Sequence, residues 1–66
     1  MDLVVNGDVY HHSGQGTIAE LLQEYEVEAG RTAIMVNGEV VGKSRLDSVK
    51  LSDGDHVELI TIAAGG

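Results

Sequence analysis

The apolar positions of this 66-residue chain change period along its length, and each change marks an element. Leu3-Val4-Val5 and Val9-Tyr10 are short β-prone runs on either side of Asn6-Gly7, a dipeptide suited to the positive φ angles of a tight hairpin turn. Ser13-Gly14-Gln15-Gly16 has the composition of a loop. Thr17, with Glu20 three places later, is a capping-box pattern, which satisfies the free N–H groups at a helix start. Ile18, Leu21, Leu22 and Tyr25 then fall at i, i+3, i+4 and i+7, with Glu20, Gln23 and Glu24 outside the stripe. That periodicity predicts one amphipathic helix of about two to three turns. Val27 extends its packing, and Gly30 is expected to end the region.

A second hairpin signal follows in Ala33 to Val41, around Asn37-Gly38. Gly42 to Leu51 reads as an irregular connection, Asp53-Gly54-Asp55 as a turn, and His56 to Ile62 as the last strand. Runs this short must share one sheet to be stable, with the helix packed across one face. The expected class is α+β. Because side chains alternate along a strand, Val57 and Leu59 facing the helix would turn Ile60 and Ile62 outward. Ile34 and Val36 facing inward would likewise turn Met35 outward. Apolar residues gathered on an open sheet face are candidates for partner docking, although single exposed apolar side chains are also ordinary.

Composition narrows the function classes. There is no Cys, which removes disulfides, thiolate metal sites and cysteine nucleophiles, and fits a cytoplasmic location. Lys plus Arg total 4 against Asp plus Glu 11, a net charge of −7. So acidic a chain is a poor ligand for nucleic acid, whose phosphates are held mainly by Lys and Arg; its field favours a basic partner surface or serves solubility alone. Met1-Asp2 lacks the basic start of a signal peptide, and no apolar run approaches the ~20 residues of a membrane span. A soluble cytoplasmic protein is expected, with neither nucleic acid nor membrane as partner.

Candidates for catalysis are few. His11 and His12 are adjacent and point to opposite faces if extended, so they cannot jointly grip one metal. With His56 they read as ordinary surface histidines, and no metal site is expected. Asp53-Gly54-Asp55 lacks the repeated oxygen ligands of a calcium loop. Ser13, Ser44, Ser48 and Ser52 have no activating His nearby in the sequence. Gly14-Gln15-Gly16-Thr17 lacks the Lys of a phosphate-binding loop, so helix capping explains it better. Lys43, Arg45 and Lys50 form a sparse basic stretch.

The end of the chain is different. Ala63-Ala64-Gly65-Gly66 follows directly from the last strand, and residues without bulk let a chain pass through a narrow channel. The α-carboxylate of Gly66 would arrive there first. Joined to AMP it becomes a mixed anhydride that a sulfur nucleophile can attack. Two glycines by themselves describe a frayed terminus equally well.

Taken in order, the chain resembles the ThiS family of sulfur carriers, small ubiquitin-like proteins with the β-grasp fold. The resemblance is carried by the hairpin at Asn6-Gly7, Gly16-Thr17-Ile18 with Leu21-Leu22, Val36-Asn37-Gly38-Glu39-Val40-Val41, Asp53 to Leu59, and Gly65-Gly66. It implies a mixed sheet of four to five strands, the first and last parallel neighbours, crossed by one main helix. Residues 1–62 would form that domain and residues 63–66 a flexible tail. It further implies a protein that is not an enzyme and binds no cofactor. A ThiF-like adenylating enzyme would use ATP and magnesium to activate Gly66, and a persulfide donor would convert it to a thiocarboxylate. A ThiG-like thiazole synthase would take the sulfur for thiamine. Gly65, Ala64 and Ala63 would supply the slim approach, and Met35, Ile60 and Ile62 the docking face. Gly42 stands where many members of the family carry Pro. The related MoaD carriers of molybdopterin synthesis, a protein modifier and a non-covalent binding module are the alternatives.

Overall fold

The computed structural model describes residues 1–62. Five strands and one α-helix follow the chain as β1 (Asp2–Val5), β2 (Asp8–His11), α1 (Ile18–Glu24), β3 (Thr32–Val36), β4 (Glu39–Val40) and β5 (His56–Thr61), with short 3₁₀ turns at Ala29–Arg31 and Lys43–Arg45. The strands form one sheet in the order β2-β1-β5-β3-β4. Only the β1–β5 pair is parallel among these strands; the other three pairs are antiparallel. The mixed sheet therefore has its first and last strands side by side, as the family resemblance implied.

Both Asn-Gly hairpins form. Asn6 and Asn37 take φ values of 51° and 50° and their glycines 88° and 85°, the left-handed pair that brings a two-residue turn into step with twisted strands. Each Asn also reaches beyond its own turn to β5. Asn6 Oδ1 accepts from the Leu59 N–H at 2.8 Å and its Nδ2 donates to the Leu59 carbonyl at 3.2 Å. On the other flank, Asn37 Oδ1 accepts from the His56 N–H at 3.0 Å. Side chains of the turns thus continue ladders that the backbone has left, and β5 is held from both sides.

The helix begins as its sequence dictates: Thr17 caps it and the reciprocal capping box with Glu20 is complete. Its end differs from expectation. The helix stops after Glu24, six residues before Gly30, because Glu26 enters the left-handed region at φ 56°. The Val27 N–H donates to the Leu22 carbonyl and the Glu26 N–H to that of Gln23, the double closure of a Schellman motif. Val27 packs against the core at that point, so an apolar contact supports a conformation that Gly usually fills.

One face of the sheet meets the helix. Leu3 and Val5 of β1, Ile34 of β3 and Val57 and Leu59 of β5 are buried against Ile18, Leu21 and Leu22. The connection from Gly42 to Leu51 is irregular, yet Leu46 and Leu51 are buried in the same core, together with Val41 before them. The Ala19 N–H donates to the Leu46 carbonyl and the Leu51 N–H to that of Gly16. This segment therefore closes the side of the core that the two-turn helix leaves open.

Two stability predictions follow from these contacts. Leu51→Ala should lose about 2–5 kcal/mol in urea unfolding, the cost of a core leucine and not of a loop position. Asn6→Gly keeps the turn conformation but strips the Leu59 backbone of its partners, and should lose about 1–3 kcal/mol with the hairpin itself preserved by NMR.

Candidate functional site

Two regions carry the candidate chemistry: the outer face of the sheet, and a polar cluster where the loop before α1 meets the helix.

On the outer face, strand register decides what lies together. Ala33 stands opposite Ile60, and Met35 opposite both Glu58 and Val40. Ile60 is 50% exposed and Ile62, just past β5, 62% exposed. Met35 shares this face but is half-buried. Val40 and Val9 are more open, at 72% and 77%, and were not among the residues expected there. Their signal was available in the alternation: Val9 stands opposite Val4, whose neighbours Leu3 and Val5 are buried, and Val40 stands opposite Met35. Ile62 remains tied to the sheet by donating its N–H to the Arg31 carbonyl at 2.7 Å. The chain thus leaves the sheet next to its exposed apolar residues. Ala63, Ala64, Gly65 and Gly66 lie outside the described residues.

The polar cluster corrects the reading of the histidines. His11 is exposed, its Nδ1 at 2.8 Å from Asp2 Oδ1. His12 is no surface residue: it is fully buried. Strand alternation turns it to the helix side, and polar groups of α1 and the preceding loop receive it there. His12 Nδ1 donates to Glu24 Oε1 at 2.9 Å, while Nε2 accepts from the Gly16 N–H at 3.1 Å. Glu24 Oε1 also accepts from the Tyr10 hydroxyl at 2.5 Å, and the Tyr10 and Tyr25 rings meet in a tilted contact at 4.9 Å. Glu20 collects the N–H groups of Gln15 and Gly16 at 2.8 and 3.0 Å beyond its capping role. A Cβ on Gly14 would lie 2.8 Å from Glu20 Oε1 and 2.9 Å from the His12 ring, so the loop approaches this closely only with glycine there. Every member of the cluster is spent on another member or on backbone. It pins the loop to the helix and presents no free nucleophile or open ligand set.

These contacts move the carboxyls and the phenol apart. The Tyr10 hydroxyl, with His12 behind it, holds the Glu24 carboxyl below its ordinary range. Partial burial pushes the Glu20 carboxyl up, but bonds from the backbone N–H groups of Thr17, Gln15 and Gly16 outweigh it and leave it lowered. Tyr10 is pushed up to about 12 by its bond to Glu24. Among the described residues, no three His, Asp or Glu side chains converge as metal ligands, and no helix is long and apolar enough to cross a membrane.

A mixed five-stranded sheet folded over one short helix defines a β-grasp protein of the ubiquitin-like class. The model of the ThiS family matches residues 3–66. The sulfur carrier protein ThiS of Bacillus subtilis is 37% identical over 65 residues, spanning 97% of this chain and 98% of that protein. A crystal structure of the thiamine biosynthesis protein ThiS from Geobacter metallireducens superposes with a TM-score of 0.83 at 33% identity, covering all of both chains. A thiazole synthase of Paramagnetospirillum magneticum is 36% identical over 66 residues, all of this chain, which spans only 20% of that protein's length. The chain belongs to the ThiS family, the sulfur carriers of thiamine biosynthesis, a family of carriers and not of enzymes.

The Glu24–Tyr10 bond predicts opposite responses at the two ends of the pH scale. Glu20 and Glu24 hold protons less tightly when folded, so their contribution is complete above their ordinary value of 4.5 and is lost as pH falls through the depressed folded values. The Tyr10 contribution is complete below its ordinary 10.0 and is lost as pH rises through about 12. Tyrosinate absorbance should show Tyr10 ionising near 12, and Glu24→Gln should bring that step down toward 10.0; Tyr10→Phe identifies the step by removing it.

Proposed function

We propose that the chain carries sulfur as a thiocarboxylate on Gly66 and delivers it to a thiazole synthase for the thiazole of thiamine. Membership of the ThiS family over residues 3–66 is the observation that carries this reading, and the Gly65-Gly66 ending agrees with it. A carboxylate is unreactive toward sulfur because its negative charge repels nucleophiles and oxide is a poor leaving group. A ThiF-like partner, holding ATP and magnesium, joins the Gly66 carboxylate to AMP and releases pyrophosphate. A persulfide sulfur then attacks the carbonyl carbon, and AMP leaves with the electron pair of the broken C–O bond. Cleavage of the resulting S–S bond by a thiol leaves sulfur on the carrier.

The division of labour explains the absence of catalytic side chains. The carrier supplies a stiff body, a small-residue leash of Ala63, Ala64 and Gly65, and a docking face that includes Met35, Ile60 and Ile62, with Val40 beside them. The partners supply the acids, bases and metal. The resemblance of this chain to part of a single thiazole synthase polypeptide supports thiazole synthase as one of those partners. With ATP required and no cysteine to oxidise, we place the reaction in the cytoplasm.

Incubation with the adenylating enzyme, magnesium, ATP and a persulfide donor should give a C-terminal peptide in which one oxygen is replaced by sulfur. Adding one residue after Gly66 should abolish that conversion and leave the thermal midpoint unchanged. Mass spectra that show only carboxylate after full incubation would overturn the reading. High-mass conjugates that depend on Gly66 would point instead to a protein modifier, and sulfur transfer to a molybdopterin synthase to the other pathway.

A further inference from the structure

β4 is two residues long and β3 is five, so the first residues of β3 have no strand beside them on that edge. Beyond Val40 the chain makes one more bond, from the Val41 N–H to the Ile34 carbonyl at 2.9 Å, and turns away into Lys43–Arg45. The mismatch leaves a cleft of 280 Å³ whose walls include Ala33, Val40, Val41 and Ile62, with Arg31 and Lys43 at its rim. Two of the chain's four cationic residues border it, and no acidic residue lines it among those described, in a chain of net charge −7. Neither cation is strongly engaged: Arg31 lies 3.9 Å from Glu28 Oε2, both side chains being exposed, and Lys43 Nζ donates to the Gly30 carbonyl at 3.4 Å. Exposed pairs of this kind contribute little and yield readily to a better-placed carboxylate. A larger depression of 420 Å³ lies around Val4, Asn6 and His56, at the far end of β5 from Ile62.

We propose that the cleft beside Ile62 is an electrostatic docking point for the thiazole synthase that receives the tail, and that it takes an apolar side chain flanked by Asp or Glu on that enzyme. The proposal rests on the carrier reading above. Ile62, the last of the described residues, is tied to the sheet at this edge, so a partner that accepts the residues after it approaches here. Apolar walls give contact area there, and the two cations set orientation and encounter rate against an acidic rim. The same cations stand out from the carrier's acidic surface, which would otherwise repel such a rim.

The experiment is a binding titration of purified thiazole synthase with the intact carrier at low and high salt. Arg31→Gln/Lys43→Gln should weaken binding by about tenfold at low salt and flatten its salt dependence, while Lys50→Gln, away from the cleft, should stay within about twofold. Val40→Ser should weaken binding without changing the salt dependence. Removal of Gly65 and Gly66 should leave the difference made by the double substitution in place. Affinity unchanged by the double substitution, or lost equally in Lys50→Gln, would overturn the proposal. So would no binding by the unaltered carrier, a result separate from the mass-spectrometric test of Gly66. If the double variant melts early, Lys43→Gln alone carries the same comparison.

Discussion

Parallel pairing of β1 with β5 is the constraint around which the molecule is arranged. Val4 and Val5 register with His56 and Val57, joining segments some fifty residues apart. That pairing places β5 at the centre of the sheet with β3 on its other side. It also positions both hairpin turns so that Asn6 and Asn37 bond to the backbone of β5. The last strand is consequently anchored from both sides.

The helix side meets a second requirement. A 66-residue domain has little apolar surface to bury, and a seven-residue helix covers only part of the sheet. Leu46 and Leu51 complete the core from an irregular segment, and the bonds among His12, Glu24, Tyr10 and Glu20 hold the loop before the helix in place. Burying a histidine costs free energy unless both ring nitrogens are satisfied; Glu24 and the Gly16 N–H satisfy them. The cluster resembles a catalytic site in composition and acts as a fastener, because each of its groups is already bonded.

Charge and apolar surface are distributed unevenly. Carboxylates dominate the chain, whereas Arg31 and Lys43 flank the edge where β5 ends. Val40 and Ile62 lie at the same edge. The features suited to contact with another protein therefore gather beside Ile62, although they come from the turn before β3, the end of β4, the turn that follows it and the residue just past β5.

Local order was legible in the sequence for direct physical reasons. Asn-Gly has a turn geometry that few other dipeptides tolerate, Thr17 and Glu20 cap a helix by contacts within one turn, and the i, i+3, i+4 spacing of Ile18, Leu21 and Leu22 selects one buried face. Alternation in β5 separated Val57 and Leu59 from Ile60, and the closing Gly65-Gly66 raised the carrier chemistry. Features that depend on distant partners were illegible. His12 looks like any histidine until β2 turns it toward Glu24, Leu46 and Leu51 look like loop residues until the sheet closes beneath them, and Glu26 ends the helix only because Val27 finds the core. Residues such as Asn6 and Leu59 become neighbours through strand order, which sequence periodicity cannot encode because it records only which way each side chain points.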